Sequence, residues 1–336
     1  MQFFVGTLTR LGGPGLVSCR LEGNVLKQES TGASLIDPSY LIFDKAQRRL
    51  YAVSANAEEG GMMGSVTAWR LTESGLVFLG RQSTGGNGAC YLTLCPGGQF
   101  LYAANYATGS LAAFPVTEEG IGPRLQLISH HGRGPHPTRQ AGPHVHQVTF
   151  LPWARILCAV DLGTDELVLY AQDTKTGLLS PYDAFGFAPG LGPRHVAYGR
   201  DGTAYVAHEL GNAVSVLKWV SGKFALLQTL STLPEGFAGE NTAAAIRLSP
   251  DGATLYVSNR GHDSIAGFRV EEDGRLVSLG FFPSGGKGPR DFILLADGRI
   301  LAANQHTGVA LLSSAPDRRV LSSLPIPGAV CVCLVC

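Results

Sequence analysis

The chain has 336 residues with 26 basic and 26 acidic side chains, a balance that lacks the positive field needed to grip a phosphate backbone, so no nucleic-acid partner is expected. Apolar residues make up 45% and charged ones 15%, with 44 glycines, as expected for many short strands joined by tight turns. The longest apolar run, AVCVCLVC, is far too short to cross a bilayer as a helix, and no membrane partner is expected.

The first residues, MQFFVGTLTR, show no basic start followed by an apolar run and a cleavage site, which predicts a cytoplasmic protein. Seven cysteines, an odd number, sit mostly in strand-like surroundings and read as buried thiols of a reducing compartment. Cys333 and Cys336 form a C-x-x-C, but within an alternating terminal strand, which favours core packing over redox chemistry.

One strand grammar recurs seven times: apolar or aromatic residues closed by a small polar one. The copies are FFVGT ending at Thr7, LYAVS at Ser54, LYAAN at Asn105, LCAVD at Asp161, AYVAH at His208, LYVSN at Asn259 and ILAAN at Asn304. Their spacings of 47, 51, 56, 47, 51 and 45 residues each accommodate a four-stranded sheet with its turns. The expected fold is therefore all-β: a seven-bladed β-propeller of four-stranded antiparallel blades, with residues 1–336 as one domain. The signature strand should be second in each blade. Turns such as Arg200-Asp201-Gly202 and Pro250-Asp251-Gly252 precede it. The first copy opens the chain and GAVCVCLVC has no blade of its own, so the two terminal strands are expected to pair and close the ring. Only residues 121–143, rich in Gly, Pro and His, depart from the period and read as a long loop.

Because the inner strand and the signature strand are antiparallel neighbours, the start of one and the end of the other share a rim. Inner-strand starts bring Asn87, His144, His146, Arg194, His195, Asn241, Arg290 and Asp291 to it. Signature-strand ends bring Asn105, Tyr106, Asp161, His208, Glu209, Asn259, Arg260, Asn304 and Gln305. The opposite rim receives only turns. Such segregation of polar groups at a channel mouth predicts a site.

His144 and His146 are two apart and should face the same way, one of them as acid or base. Arg194, Arg260 and Arg290 are forked donors for a phosphate or carboxylate, which predicts an anionic substrate. Glu209 would act as base or orient an arginine. Five of nine histidines fall at 130–146, yet no carboxylate or thiolate lies among them to complete a metal site.

Across its whole length the chain resembles the seven-bladed-propeller lactonases, which include propeller-type 6-phosphogluconolactonases and carboxy-muconate lactonizing enzymes. The stretches that carry the likeness include NGACYLTL, LYAANYATGSLAAF, GPHVHQVTF, GPRHVAY, HELGNAVSVL, LYVSNRGHDSIAGF, GGKGPRDF and AANQHTG. The resemblance implies His146, Glu209, Arg194 and Arg260 as catalytic. His144, Arg290, His195, Asn105, Tyr106, Asn259 and Gln305 then become the expected substrate-binding residues. Where relatives commonly carry an acid before the Pro-Asp-Gly turn, this chain has Ala245.

The expected activity is hydrolysis of 6-phospho-glucono-1,5-lactone, a small anionic sugar lactone of the pentose phosphate pathway, without cofactor or metal. A monomer or weak homodimer is expected. The alternatives are a muconate-type cycloisomerase and a metal-dependent lactonase using Asn105, Asp161, Asn259 and Asn304 as oxygen ligands. A noncatalytic binding platform is the third.

Overall fold

A computed structural model describes residues 1–33, 35–55 and 64–335. Cys336, the second half of the C-x-x-C, lies outside the described residues.

Seven antiparallel sheets follow one another around a ring, and in each the signature strand is second from the centre. Blades two to seven span 41–83, 89–129, 145–186, 193–231, 242–283 and 289–324. Blade one combines Gln2–Thr7, Leu16–Glu22 and Val25–Ala33 with Ala329–Leu334, which becomes its innermost strand. The expected closure is thus present: Phe4 pairs with Cys333 and Val5 with Val332. This pairing satisfies backbone groups that would otherwise form an open edge.

Signature strands are buried along their length, because the sheet faces on either side are covered by neighbouring blades. Phe3, Val5 and Val17 of blade one meet Leu301, Val309 and Leu311 of blade seven, and the same apolar contact repeats around the ring. Burying each large side chain stabilises by roughly 1.5–3 kcal/mol. In the hairpin turn of blade five, Asp201 and Gly202 both have positive φ, 51° and 73°. That is the backbone a tight two-residue turn between right-twisted strands requires.

One expectation is corrected. The stretch 121–143 is not wholly irregular, because Gln126–Ser129 is the outer strand of blade three and pairs with Ser110–Ala113. Gly120–Ile121 pairs further along the same partner, Val116 and Thr117. Two short strands share one neighbour, and neither is long enough to impose a visible alternation. The remaining segment, 130–143, runs over the rim.

Candidate active site

Inner strands deliver their functional residues through β-bulges. In blade three Ala89 faces Asn105 and Tyr91 faces Ala104, which leaves Cys90 without a partner in the ladder. The same slip singles out His146 in blade four, Arg194 in blade five and Arg290 in blade seven. A bulge inserts an extra residue and re-aims its side chain. Here Cys90, His146 and Arg290 line a cavity of about 430 Å³, with Arg194 against its floor. Blade six slips across Ala243–Ile246 but offers only small side chains. Ala245 is sealed against Tyr256, Ile265 and Phe292, and Glu209 is the one acid lining the cavity among the described residues.

Signature strands contribute the residue after the small polar one. Leu8, Ala55, Tyr106, Glu209 and Arg260 occupy this position in five blades, and all line the cavity. The polar residues themselves turn into the blades. Asn105 Nδ2 donates to Ser110 Oγ at 3.1 Å, Asn259 Nδ2 to the Thr232 carbonyl at 2.6 Å and Asn304 Nδ2 to the Ser284 carbonyl at 3.2 Å. Asp161 accepts the backbone N–H groups of His144 and Gly163, and His208 Nε2 lies 2.7 Å from Ser215 Oγ. All five are fully buried. Asn105 and Asn259 therefore brace the rim rather than face the cavity, since consecutive strand residues point opposite ways. For the same reason Asn105, Asp161, Asn259 and Asn304 do not converge on a central ion, and among the described residues no group of three His, Cys, Asp or Glu could hold one.

Glu209 is the electrostatic centre. Its Oε2 lies 3.0 Å from Arg194 Nε, 3.0 Å from Arg260 Nη2 and 4.0 Å from His146 Nε2, while Arg139 holds Oε1. Burial by itself would raise its pKa, but Arg260, Arg194, His146 and Arg139 outweigh burial and hold the carboxyl well below the usual range. The pKa of His146 is lowered as well, with the opposite effect on charge. Burial, reinforced by Arg194 and opposed by Glu209, pushes its pKa well below 6.5, so the imidazole is neutral. Its Nδ1 is buried without a hydrogen-bond partner.

Arg194 is 2% exposed; burial and the neighbouring Arg260 and Arg290 bring its pKa down to about 9. Arg290 is lowered to about 10 by burial and Arg260, and among the described residues no hydrogen bond or ion pair engages its guanidinium. Both remain cationic at neutral pH.

One residue beyond each bulge, the same strands supply a buried layer beneath the cavity. Tyr40 and Tyr91 stack at 3.8 Å with their hydroxyls 2.7 Å apart, and Gln147 Nε2 donates to Tyr91 OH at 2.9 Å. Asp291, expected at the rim, pairs with Arg247 at 2.6 Å in this layer. His195 is also buried here, with its ring 5.2 Å from Tyr91 and its nitrogens 3.2 and 3.3 Å from Arg194 Nη1. It supports the floor and does not line the cavity.

His144 and His146 do not act as a same-face pair, because the bulge breaks the alternation. His144 stacks on Tyr106 at 4.4 Å and donates from Nδ1 to the Tyr106 carbonyl at 2.8 Å. Gln305 lines a separate surface depression with Leu11, His306 and Pro327. Arg10, Cys90 and Arg139 were not anticipated. Cys90 could have been found by aligning repeats, since it precedes Asn105 by 15 residues as His146 precedes Asp161. Arg139 lies outside the repeat, and no periodic signal marks it.

A cationic cavity at one mouth of a seven-bladed ring, built around an arginine-clamped carboxylate and a neutral histidine, is the architecture of a propeller enzyme. A family model described as "Lactonase, 7-bladed beta-propeller" matches residues 2–333, and the chain belongs to that family. It is 35% identical to a 6-phosphogluconolactonase of Bacillus subtilis (strain 168), with 98% of this chain and 97% of the relative aligned. Among solved structures it is similar to a protein from Lactobacillus plantarum (TM-score 0.90, 30% identity, 98% of each chain covered). It is also similar to a periplasmic gluconolactonase of Pseudomonas aeruginosa (TM-score 0.89, 30% identity, 98% of each chain covered).

Proposed function

We propose that the protein opens 6-phospho-glucono-1,5-lactone to 6-phosphogluconate, a step of the pentose phosphate pathway. The observation that carries this reading is the arrangement in one cavity of neutral His146, clamped Glu209 and the unpartnered cation Arg290. Lactone hydrolysis needs an activated water, charge stabilisation on the forming oxyanion and a clamp for the phosphate. Each requirement has a candidate.

His146 takes the proton from water. The neutral imidazole can accept that proton, whereas the carboxylate oxygens of Glu209 are already engaged by three guanidinium groups. Glu209, 4.0 Å away, stabilises the imidazolium that results and orients the arginines. Arg194 and Arg260 face the oxyanion of the tetrahedral intermediate. As the ester bond breaks, the imidazolium returns its proton to the ring oxygen, which leaves as a hydroxyl. Arg290, whose guanidinium has no partner among the described residues, receives the phosphate. No step requires a metal ion. The thiols of Cys19, Cys90, Cys95, Cys158 and Cys331 form no disulfide, which supports a reducing, cytoplasmic setting.

The test is a continuous assay with freshly generated phosphogluconolactone, corrected for spontaneous opening. Native protein is expected to accelerate opening, Arg194→Ala to lower kcat/KM by about 10²-fold, and exhaustive chelation to change nothing. Turnover at the spontaneous rate by native protein refutes the reading.

A further inference from the structure

Three guanidinium groups contact Glu209, and they are not equivalent. Arg194 and Arg260 are held in the protein, with side chains 3% and 16% exposed, and both face Oε2. Arg139 is 37% exposed, takes Oε1 and donates from Nη2 to Tyr106 OH at 3.2 Å. Of the three it alone can exchange its partner without leaving a cation buried.

Its presentation is nonetheless firm. Gln140, fully buried, donates from Nε2 to the Leu162 carbonyl at 2.9 Å and accepts the His136 N–H on Oε1 at 3.2 Å. His136 Nδ1 accepts the Arg139 N–H at 3.2 Å. His130 Nδ1 ties the start of the segment to Asp161 Oδ2 at 2.7 Å, and Tyr170 OH lies 2.9 Å from His130 Nε2. The backbone is anchored, while the side chain reaches the cavity surface, where it contacts Glu209 and Tyr106. Among the described residues around the cavity, Arg10, Arg139, Arg194, Arg260 and Arg290 face two carboxylates, Glu209 and the Asp37 that pairs with Arg10. That surplus of cations suits a doubly charged group.

We infer that Arg139 is a specificity-determining residue that exchanges Glu209 Oε1 for the phosphate of the substrate. Together with Arg290 it forms a two-sided anion clamp, and it favours phosphorylated over unphosphorylated lactones. The inference rests on the hydrolase reading for its substrate, but its binding part can be measured separately.

Arg139→Ala, Arg139→Lys and, as a control on the same segment, the exposed Arg133→Ala are compared on 6-phosphogluconolactone and glucono-1,5-lactone. Arg139→Ala is expected to raise KM for the phosphorylated lactone about tenfold more than for the unphosphorylated one, with Lys partly restoring it. Inorganic phosphate should inhibit the native enzyme and raise its Tm, and both effects should be lost in Arg139→Ala and kept in Arg133→Ala. Equal losses on the two lactones, or phosphate effects that survive in Arg139→Ala, overturn the inference. If native protein opens neither lactone, the hydrolase reading fails while the phosphate-induced Tm shift still decides the role of Arg139.

Discussion

Glu209 is ion-paired with three guanidinium groups at once, and this has a consequence for stability as well as activity. Glu209→Gln keeps the shape but leaves Arg194 and Arg260 as buried cations without a counter-charge, which should cost about 3 kcal/mol in chemical denaturation. The same change should lower kcat/KM by about 10²-fold. The buried histidines set the pH response. His146 and His195 titrate well below 6.5 and His208 near 3, each chiefly through burial. An unfolded histidine binds its proton near 6.5. Below that pH the unfolded chain therefore holds more protons, and stability should fall as pH drops from 7 toward 4. The depressed carboxyl of Glu209 acts in the same direction, its contribution being present above its unfolded value and lost as pH falls through the folded one. Because His146 stays neutral, kcat/KM should show no inflection near pH 6.5. A titration of rate and Tm over one buffer series checks both. From sequence, these residue types at one rim were readable, but the neutral state of His146 was not, because desolvation depends on which side chains close over it.

At the scale of elements, the bulge is the device that makes the site. Regular alternation would put His146, Arg194 and Arg290 on the same footing as their neighbours; the slipped register turns each toward the cavity. A second device is close backbone contact at the rim. A Cβ on Gly163 would stand 2.0 Å from the Gly142 carbonyl oxygen and 2.7 Å from His144 N. Gly163→Ala must therefore displace the segment leading into His146, and a loss of turnover with a small change in Tm is expected. Gln140→Ala removes the buried anchor of 130–143. It should speed amide exchange across that segment and reproduce the Arg139→Ala defect on phosphorylated lactone, leaving the other blades protected. The repeat period announced the strands, yet not this segment's outer strand at Gln126–Ser129, whose four residues carry too little pattern to separate from a loop.

For the whole molecule, closure decides what can meet. The inner strand of blade one comes from residues 329–334, so the two ends of the chain hold one sheet together. Removing residues 329–336 should expose Gln2–Thr7 as an open edge, lower Tm by roughly 10 °C and promote association visible in size-exclusion chromatography. The sequence by itself determined the number of blades, the place of the signature strand, the terminal closure and the rim that carries His146, Glu209, Arg194, Arg260 and Arg290, because these follow from a local period repeated seven times. Only the tertiary structure decided that Asn105 and Asn259 brace blades, that Gln305 sits apart and that Arg139 joins the site. Those outcomes depend on side-chain direction at a bulge and on a non-repeating crossing of the rim, which no local periodicity encodes.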